Sequence, residues 1–351
     1  MKQLLSWLAI SICLICTINT AFAVRVTRLY QAQIPVASQT SEERNQVLQQ
    51  GLTQVLIKVS GDNGVLNHPK IKSRLEELAS TLMQEFSYSP SNLPDNAEPY
   101  FLQLNFDADG INKVLQDAGV PIWGQNRPLI VVWLDVEIPN HPAEIMTNDS
   151  ANEISLLFKQ NMDRRGLPII FPMMDITDMN LVSVNDIVIK AIPVLTNAAK
   201  RYSSDAMLMG HITQDKNGFN AQWTLVMGQS QWDWSMTGET IADVLTTVTN
   251  NIADTLAGRY AVIMTDTAQT KFTLQVAGVT EAEDFMQLMN YLQHLTPVAD
   301  VQLIQVSGSD VTLNISLRGT RESFSQAVSL GKKLTSVNNN NQTIPLYQWN
   351  H

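Results

Sequence analysis

The sequence predicts a multi-domain protein of mixed α/β and α+β class: a central α/β sheet carrying an antiparallel Trp-rich hairpin, and a small C-terminal β-α-β-β-α domain. Three observations carry this. The run Leu129-Ile-Val-Val-Trp-Leu-Asp-Val136 is nearly continuous in apolar residues, as a strand buried on both faces requires. After it, segments of helical and strand period alternate up to residue 212. Trp223, Trp232 and Trp234 then fall in two alternating segments joined by a tight turn.

In chain order, residues 24–36 alternate and are rich in β-branched side chains, which reads as a strand ended by Pro35. Val47, Leu48, Gly51, Leu52, Val55, Leu56 and Val59 recur at helical spacing, predicting a helix over 42–59 stopped at Gly61. A second helix is expected over 69–84, with Ile71, Leu75, Leu78, Leu82 and Phe86 on its inner face. Residues 87–99 hold three prolines and read as a loop. A strand at 100–106 leads to a helix capped by Asp109 and closed by Gly119. Gly and Pro break all periodicity over 121–128, the first domain boundary. The predicted units are 24–123, 124–264 and 270–334.

In the central unit the expectations are a strand at 129–136, a helix at 153–165, a strand at 167–171, a helix at 193–202 and a strand at 205–212. The hairpin 220–228/230–238 follows. A long helix at 240–262 closes the unit, with Ile241, Val244, Leu245, Val248, Ile252, Leu256 and Tyr260 inward. The last unit opens on a strand at 272–276 and a helix at 281–294. Strands at 299–306 and 310–317 and a helix at 320–334 complete it. Residues 335–351 read as a polar tail.

The first 23 residues have the form of a cleavable secretory signal. Lys2 supplies a positive start, residues 4–16 an apolar stretch, and Ala21 and Ala23 the small residues of a cleavage site. Both cysteines, Cys13 and Cys16, lie inside that segment, so a mature chain would hold neither disulfide nor thiolate site. Ile12 and Ile15 precede them where lipoprotein processing needs a small residue. With 33 acidic against 23 basic residues the chain carries a net charge of −10, which argues against nucleic acid or anionic lipid as the main partner. The expected location is the periplasm, with secretion beyond it open. The chain after the signal is expected to be soluble, with no second transmembrane segment.

No coherent catalytic constellation is visible. Asn105, Asp107, Asp109 and Gln116 imitate half of a calcium loop, but Asn and Gln stand where carboxylates belong. Strand end and helix cap explain them. His68, His141, His211, His294 and His351 never fall at ligand spacing on one helix, so no metal site is expected. There is no G-x-S-x-G elbow and no phosphate-binding glycine loop, and no cofactor is expected. Asp175, Asp178, Asp233 and Glu239 are the acids that a glycan or peptide hydrolase could use, although turn and cap roles account for each. Trp223, Trp232 and Trp234 share one face of the hairpin and make a contact surface if that face is outward, or core if it is inward.

Several of these segments form a pattern. Leu29-Tyr30 with Ile34-Pro-Val36, Arg44, the Leu52-x-x-Val-Leu-x-x-Val-Ser-Gly61 helix end, Arg127-Pro-Leu-Ile-Val-Val-Trp-Leu134, and Arg201-Tyr with Asp205-Ala-Met-Leu-Met-Gly210 resemble the exported proteobacterial family catalogued as domain of unknown function 2066. The resemblance spans about residues 24–262 and implies export without an assigned activity. The central order of elements, with Pro172-x-x-Asp175, is similar to a domain of curli-secretion channel proteins, penicillin-binding-protein activators and the first domain of the Tol–Pal propeller protein. That likeness implies protein contacts in the envelope, by analogy of fold. The expected function is therefore a non-enzymatic binding or scaffold protein with envelope proteins as partners. A hydrolase and a small-ligand or lipid binder are the alternatives.

Overall fold

The computed structural model describes residues 26–91, 98–139, 141–148, 153–264, 270–337 and 344–350. The signal segment with Ala21 and Ala23, the linker 265–269, residues 338–343 and His351 lie outside the described residues. The fold is mixed α/β, with three sheets that each have their own core.

The first sheet is antiparallel, in the order β1 (Gln31–Val36), β3 (Tyr100–Phe106), β2 (Met83–Pro90). Helix α1 (Ser41–Ser60) lies on it through Leu52, Val55, Leu56 and Val59, all fully buried. Thr40 caps its start by accepting from the Glu43 N–H, and Gly61, at φ 71°, turns the chain out of its end. The expected second helix is instead two short ones, α2 (Pro69–Lys72) and α3 (Leu75–Leu82), followed directly by β2. Phe86 fits an i, i+4 helical series, but Phe86 and Tyr88 also alternate with Ser87 and Ser89. Pairing of Phe86 with Leu104 on β3 decides the matter. Phe86 thus stands 45% exposed, under the Arg44 guanidinium at 4.3 Å, and not in the core. Helix α4 (Ala108–Ala118) is capped by Asp107, whose carboxylate accepts from the N–H groups of Asp109 and Gly110; Asp109 itself lies in the first turn. The strand read at 24–36 begins only at Gln31, after a turn at 27–30.

The central sheet runs β5 (His141–Ile145), β4 (Ile130–Ile138), β7 (Ala206–Asp215), β8 (Gly218–Met227), β9 (Ser230–Gly238), with β6 (Ile169–Ile170) beside the start of β4. β4 and β7 are parallel, and β7, β8 and β9 form an antiparallel meander. One face, with Val132, Leu134, Leu208, Ile212 and Trp223, meets α5 (Glu153–Arg164) and α9 (Ile241–Tyr260). The other, with Val131, Trp133, Met207 and Met209, is covered by α6 (Ile176–Leu181), α7 (Val184–Val188) and α8 (Ile192–Ala199). Double coverage is why β4 is apolar at every position from Ile130 to Leu134. Trp223 lies flat over Gly210, where a Cβ would fall 2.2 Å from the indole ring.

The third sheet has the order β11 (Val298–Ser307), β12 (Asp310–Leu317), β10 (Thr270–Ala277), β14 (Leu346–Trp349), β13 (Leu334–Val337), backed by α10 (Ala282–Gln293) and α11 (Arg321–Gly331). The polar tail expected after residue 334 is overturned here. Leu346-Tyr-Gln-Trp349 alternates, Tyr347 and Trp349 enter the core, and β14 inserts parallel to β10.

The first two sheets are joined at the C-terminal end of α1. Arg127, fully buried, donates to the carbonyls of Lys58 (2.6 Å), Trp123 (2.9 Å), Arg165 (2.9 Å) and Gly124 (3.1 Å), and stacks 3.9 Å from the Trp123 ring. Arg165, 1% exposed, donates to the Gly61 carbonyl, Asn250 and Asp254. Burial, with Arg165 beside it, draws Arg127 down to about 9, which still leaves it charged at neutral pH.

Arg127→Ala strips four carbonyls, three of them buried, of their donor, and chemical denaturation should show a loss of about 3–5 kcal/mol. Arg127→Lys should recover little of it, because one ammonium cannot span the planar fork's partners. Gly210→Ala should cost about 3 kcal/mol in the same measurement, since the indole above it has no room to retreat.

Candidate functional site

The layer formed by α6, α7 and α8 is built from short helices whose ends are fixed by side chains. Asp175 caps α6, accepting from the N–H groups of Thr177 and Asp178, both at 3.0 Å. Ser183 and Asp186 form a capping box at α7, and Pro193 occupies the first turn of α8. Met174, Lys190 and Ser203 adopt φ near +50°, and only Lys332 joins them among the described non-glycine residues. Such backbone is held in place only by its surroundings.

Around Met174 and Ser203 the surroundings include a polar clasp. Arg201 Nη1 donates to Asp175 Oδ1 and Asp178 Oδ1, and Nη2 to Asp175 Oδ2, each at 2.7 Å. Asp178 is fully buried, and also accepts from the Tyr202 hydroxyl and from the Met174 N–H at 3.0 Å. The Tyr202 oxygen in turn accepts from the Met173 N–H, while its ring stands edge-on to Trp133, 6.2 Å between centroids. Hydrogen bonds from Arg201 hold the Asp175 carboxyl well below the usual carboxylate range, and burial pushes the Tyr202 hydroxyl up to about 12.

With Asp178 and Tyr202 engaged inward, the segment presents apolar side chains outward, interspersed with exposed Thr177, Asn180, Asn185 and Lys190. Met173, Ile176, Met179, Leu181, Val188, Ile189 and Val194 are all exposed, Ile176 at 75% and Ile189 at 63%. Seven large apolar side chains within residues 173–194 make a dense apolar stretch of surface. Methionine among them suits a surface that adapts to what it meets.

The residues singled out from the sequence are placed as follows. Trp223 is fully buried, so it can belong to no contact surface. Trp232 and Trp234 are half-buried against the core beneath α9. Asp175 is committed to Arg201. Asp233 accepts from Thr224 (2.6 Å) and Gln231 (2.8 Å) and lies 3.7 Å from the Lys190 ammonium. Glu239 stands exposed at the entry to α9. His294 Nδ1 lies 2.7 Å from the Asn290 carbonyl. His211 and Asp135 pair at 2.8 Å across adjacent parallel strands, with Asp135 fully buried and its carboxyl pushed up by burial. The sequence signal for that pair was a single acid in an apolar strand. The Arg201 clasp was equally hidden, since its partners lie more than twenty residues away. A cleft of about 510 Å³ lies in the C-terminal unit, lined by polar residues such as Ser325, Ser329 and Thr335.

Comparison with known proteins adds little to this geometry. A family model described as Domain of unknown function (DUF8605) matches residues 23–124, the first sheet and its helices. It is a different family from the one the motifs resemble, and it ends before the apolar layer begins. No curated protein matches the chain. Two crystal structures are similar in part. TolB from Acinetobacter baumannii shares 12% identity at a TM-score of 0.24, over 43% of this chain and 32% of that one. A competence or damage-inducible protein from Enterobacter asburiae shares 9% at 0.23, over 42% and 92%. The chain spans about a third of the TolB structure, and at these scores neither likeness carries an argument.

Arg201→Ala leaves Asp178 buried without its cation and should lower Tm in thermal denaturation. Amide exchange over residues 176–181 should accelerate. The folded Asp175 lies below its ordinary 3.8, so the clasp's contribution is complete above that value and lost as pH falls through the lower folded one. The difference in Tm between wild type and Arg201→Ala should therefore hold constant from about pH 7 to 5 and shrink below about 4.

Proposed function

We propose that the protein is exported to the periplasm, where it acts as a non-enzymatic binding or scaffold protein that meets other envelope proteins through the α6–α8 face. The observation that carries this reading is the set of seven exposed apolar side chains on a segment whose buried acid, Asp178, is held from within by Arg201 and Tyr202. A folded chain has little reason to hold strained backbone at Met174 and Lys190 only to expose Ile176 and Ile189 to water. The signal-like first 23 residues and the acidic balance support the location. The motif resemblance to the domain of unknown function 2066, and the likeness in element order to envelope contact domains, point the same way. Against a hydrolase, Asp175 and Asp233 are each held by several donors, an arrangement that keeps carboxylates ionised and occupied.

The test places a photo-crosslinking amino acid at Ile176 or Ile189 in living cells, with Lys271 as control. The expected outcome is a processed chain in the periplasmic fraction and discrete adducts to envelope proteins from the two face positions alone. Retention in the cytoplasm, or the same adducts from all three positions, would sink the proposal. Ile176→Glu with Ile189→Glu should abolish the adducts, with a change in Tm of no more than about 2 °C because both side chains are exposed.

A further inference from the structure

Among the described residues seven strands form the edges of the three sheets, and six of them carry a feature that blocks further pairing, β6 by being only two residues long. β1 contains Pro35. β2 has a register break near Met83 and ends in Pro90. β5 is five residues long and meets a register break in β4, β13 is four residues long, and β11 is broken twice. These are the usual protections of a sheet edge. β9 has none of them. Its nine residues pair with β8 in unbroken register from Ser230 to Met236 and on to Gly238, without proline, lysine or arginine. No strand among the described residues pairs with its outer side. On the α9 face of this edge Trp232, Trp234 and Met236 remain only half-buried.

We infer that β9 is a homodimerisation edge, pairing antiparallel with β9 of a second copy about a two-fold axis at Trp234. Side chains keep their face across such an axis, so only registers centred on a residue are available. Centring on Asp233 sets the two Asp233 carboxylates directly opposite each other, which is unfavourable. Centring on Ser235 leaves Trp232 against the partner's Gly238. Centring on Trp234 sets Trp234 against the partner's Trp234, Trp232 against the partner's Met236 and Asp233 against the partner's Ser235. All three apolar side chains gain a neighbour and no like charges face. Because α9 lies over both β8 and β9, the two copies of the helix come side by side at about the 8–10 Å of packed helices. This goes beyond the proposed function, because the pairing uses the sheet edge and not the apolar helical face.

Sedimentation equilibrium of the purified protein at about 0.15 M salt decides it. The expected result is a monomer–dimer equilibrium. Ser235 is exposed, so its variants should keep the fold, checked by circular dichroism and Tm. Ser235→Asp sets two pairs of like charges across the axis and should weaken the dimer about five-fold or more, whereas Ser235→Lys should tighten it by a similar factor. A protein that stays monomeric to about 1 mM, or a dimer whose dissociation constant ignores both substitutions, overturns the inference.

Discussion

The C-terminal end of α1 is where the first two sheets depend on each other. A helix end leaves carbonyls without partners and carries partial negative charge, and here it is buried, where water cannot satisfy it. Two arginines meet that need from the central unit: Arg127 reaches the Lys58 carbonyl and Arg165 the Gly61 carbonyl. Lys58 turns the other way, to the carbonyls of Gln31 and Arg28 at the start of β1, and burial draws its ammonium down to about 8. Neither unit can satisfy its own polar groups at this point, so the chain's orientation through Gly61 and Trp123 is fixed by hydrogen bonds and not by apolar contact alone. The tight approach of Gly61 to Ala257 on α9 follows from the same closeness.

Where local pattern and global demand coincided, the sequence was legible. The buried β4, the Trp hairpin, α1 and α9 all announce themselves by periodicity, and each sits within a residue or two of its expected bounds. The misses share one cause, that a distant partner decided a locally ambiguous segment. β2 reads as a helix end running into a proline loop until β3 pairs with it, and β14 hides behind a polar stretch until β10 and the core claim Tyr347 and Trp349. The helical layer over 176–188 was missed altogether, because apolar Ile176, Met179, Leu181 and Val188 face outward and blur the amphipathic contrast.

The candidate face shows the same limit from the functional side. Asp175 was visible as a cap, but what holds the layer rigid is Asp178, a buried acid whose partners come from Arg201 and Tyr202 at the end of α8. Apolar residues in sequence default to core, and only the structure shows that Ile176, Met179 and Ile189 do not go there. The Trp residues, by contrast, carried the conspicuous signal, and Trp223 is core.

The position of β14 bears on synthesis. Between β10 and β13 it completes the third sheet from within, so this core stays open until residues 346–349 have been made, long after β10 emerged. A nascent chain can close its first core early and its second but for Leu330, and must carry Phe272, Leu274 and Val276 on an unfinished sheet meanwhile. That interval, rather than the finished molecule, is when the chain is most open to aggregation.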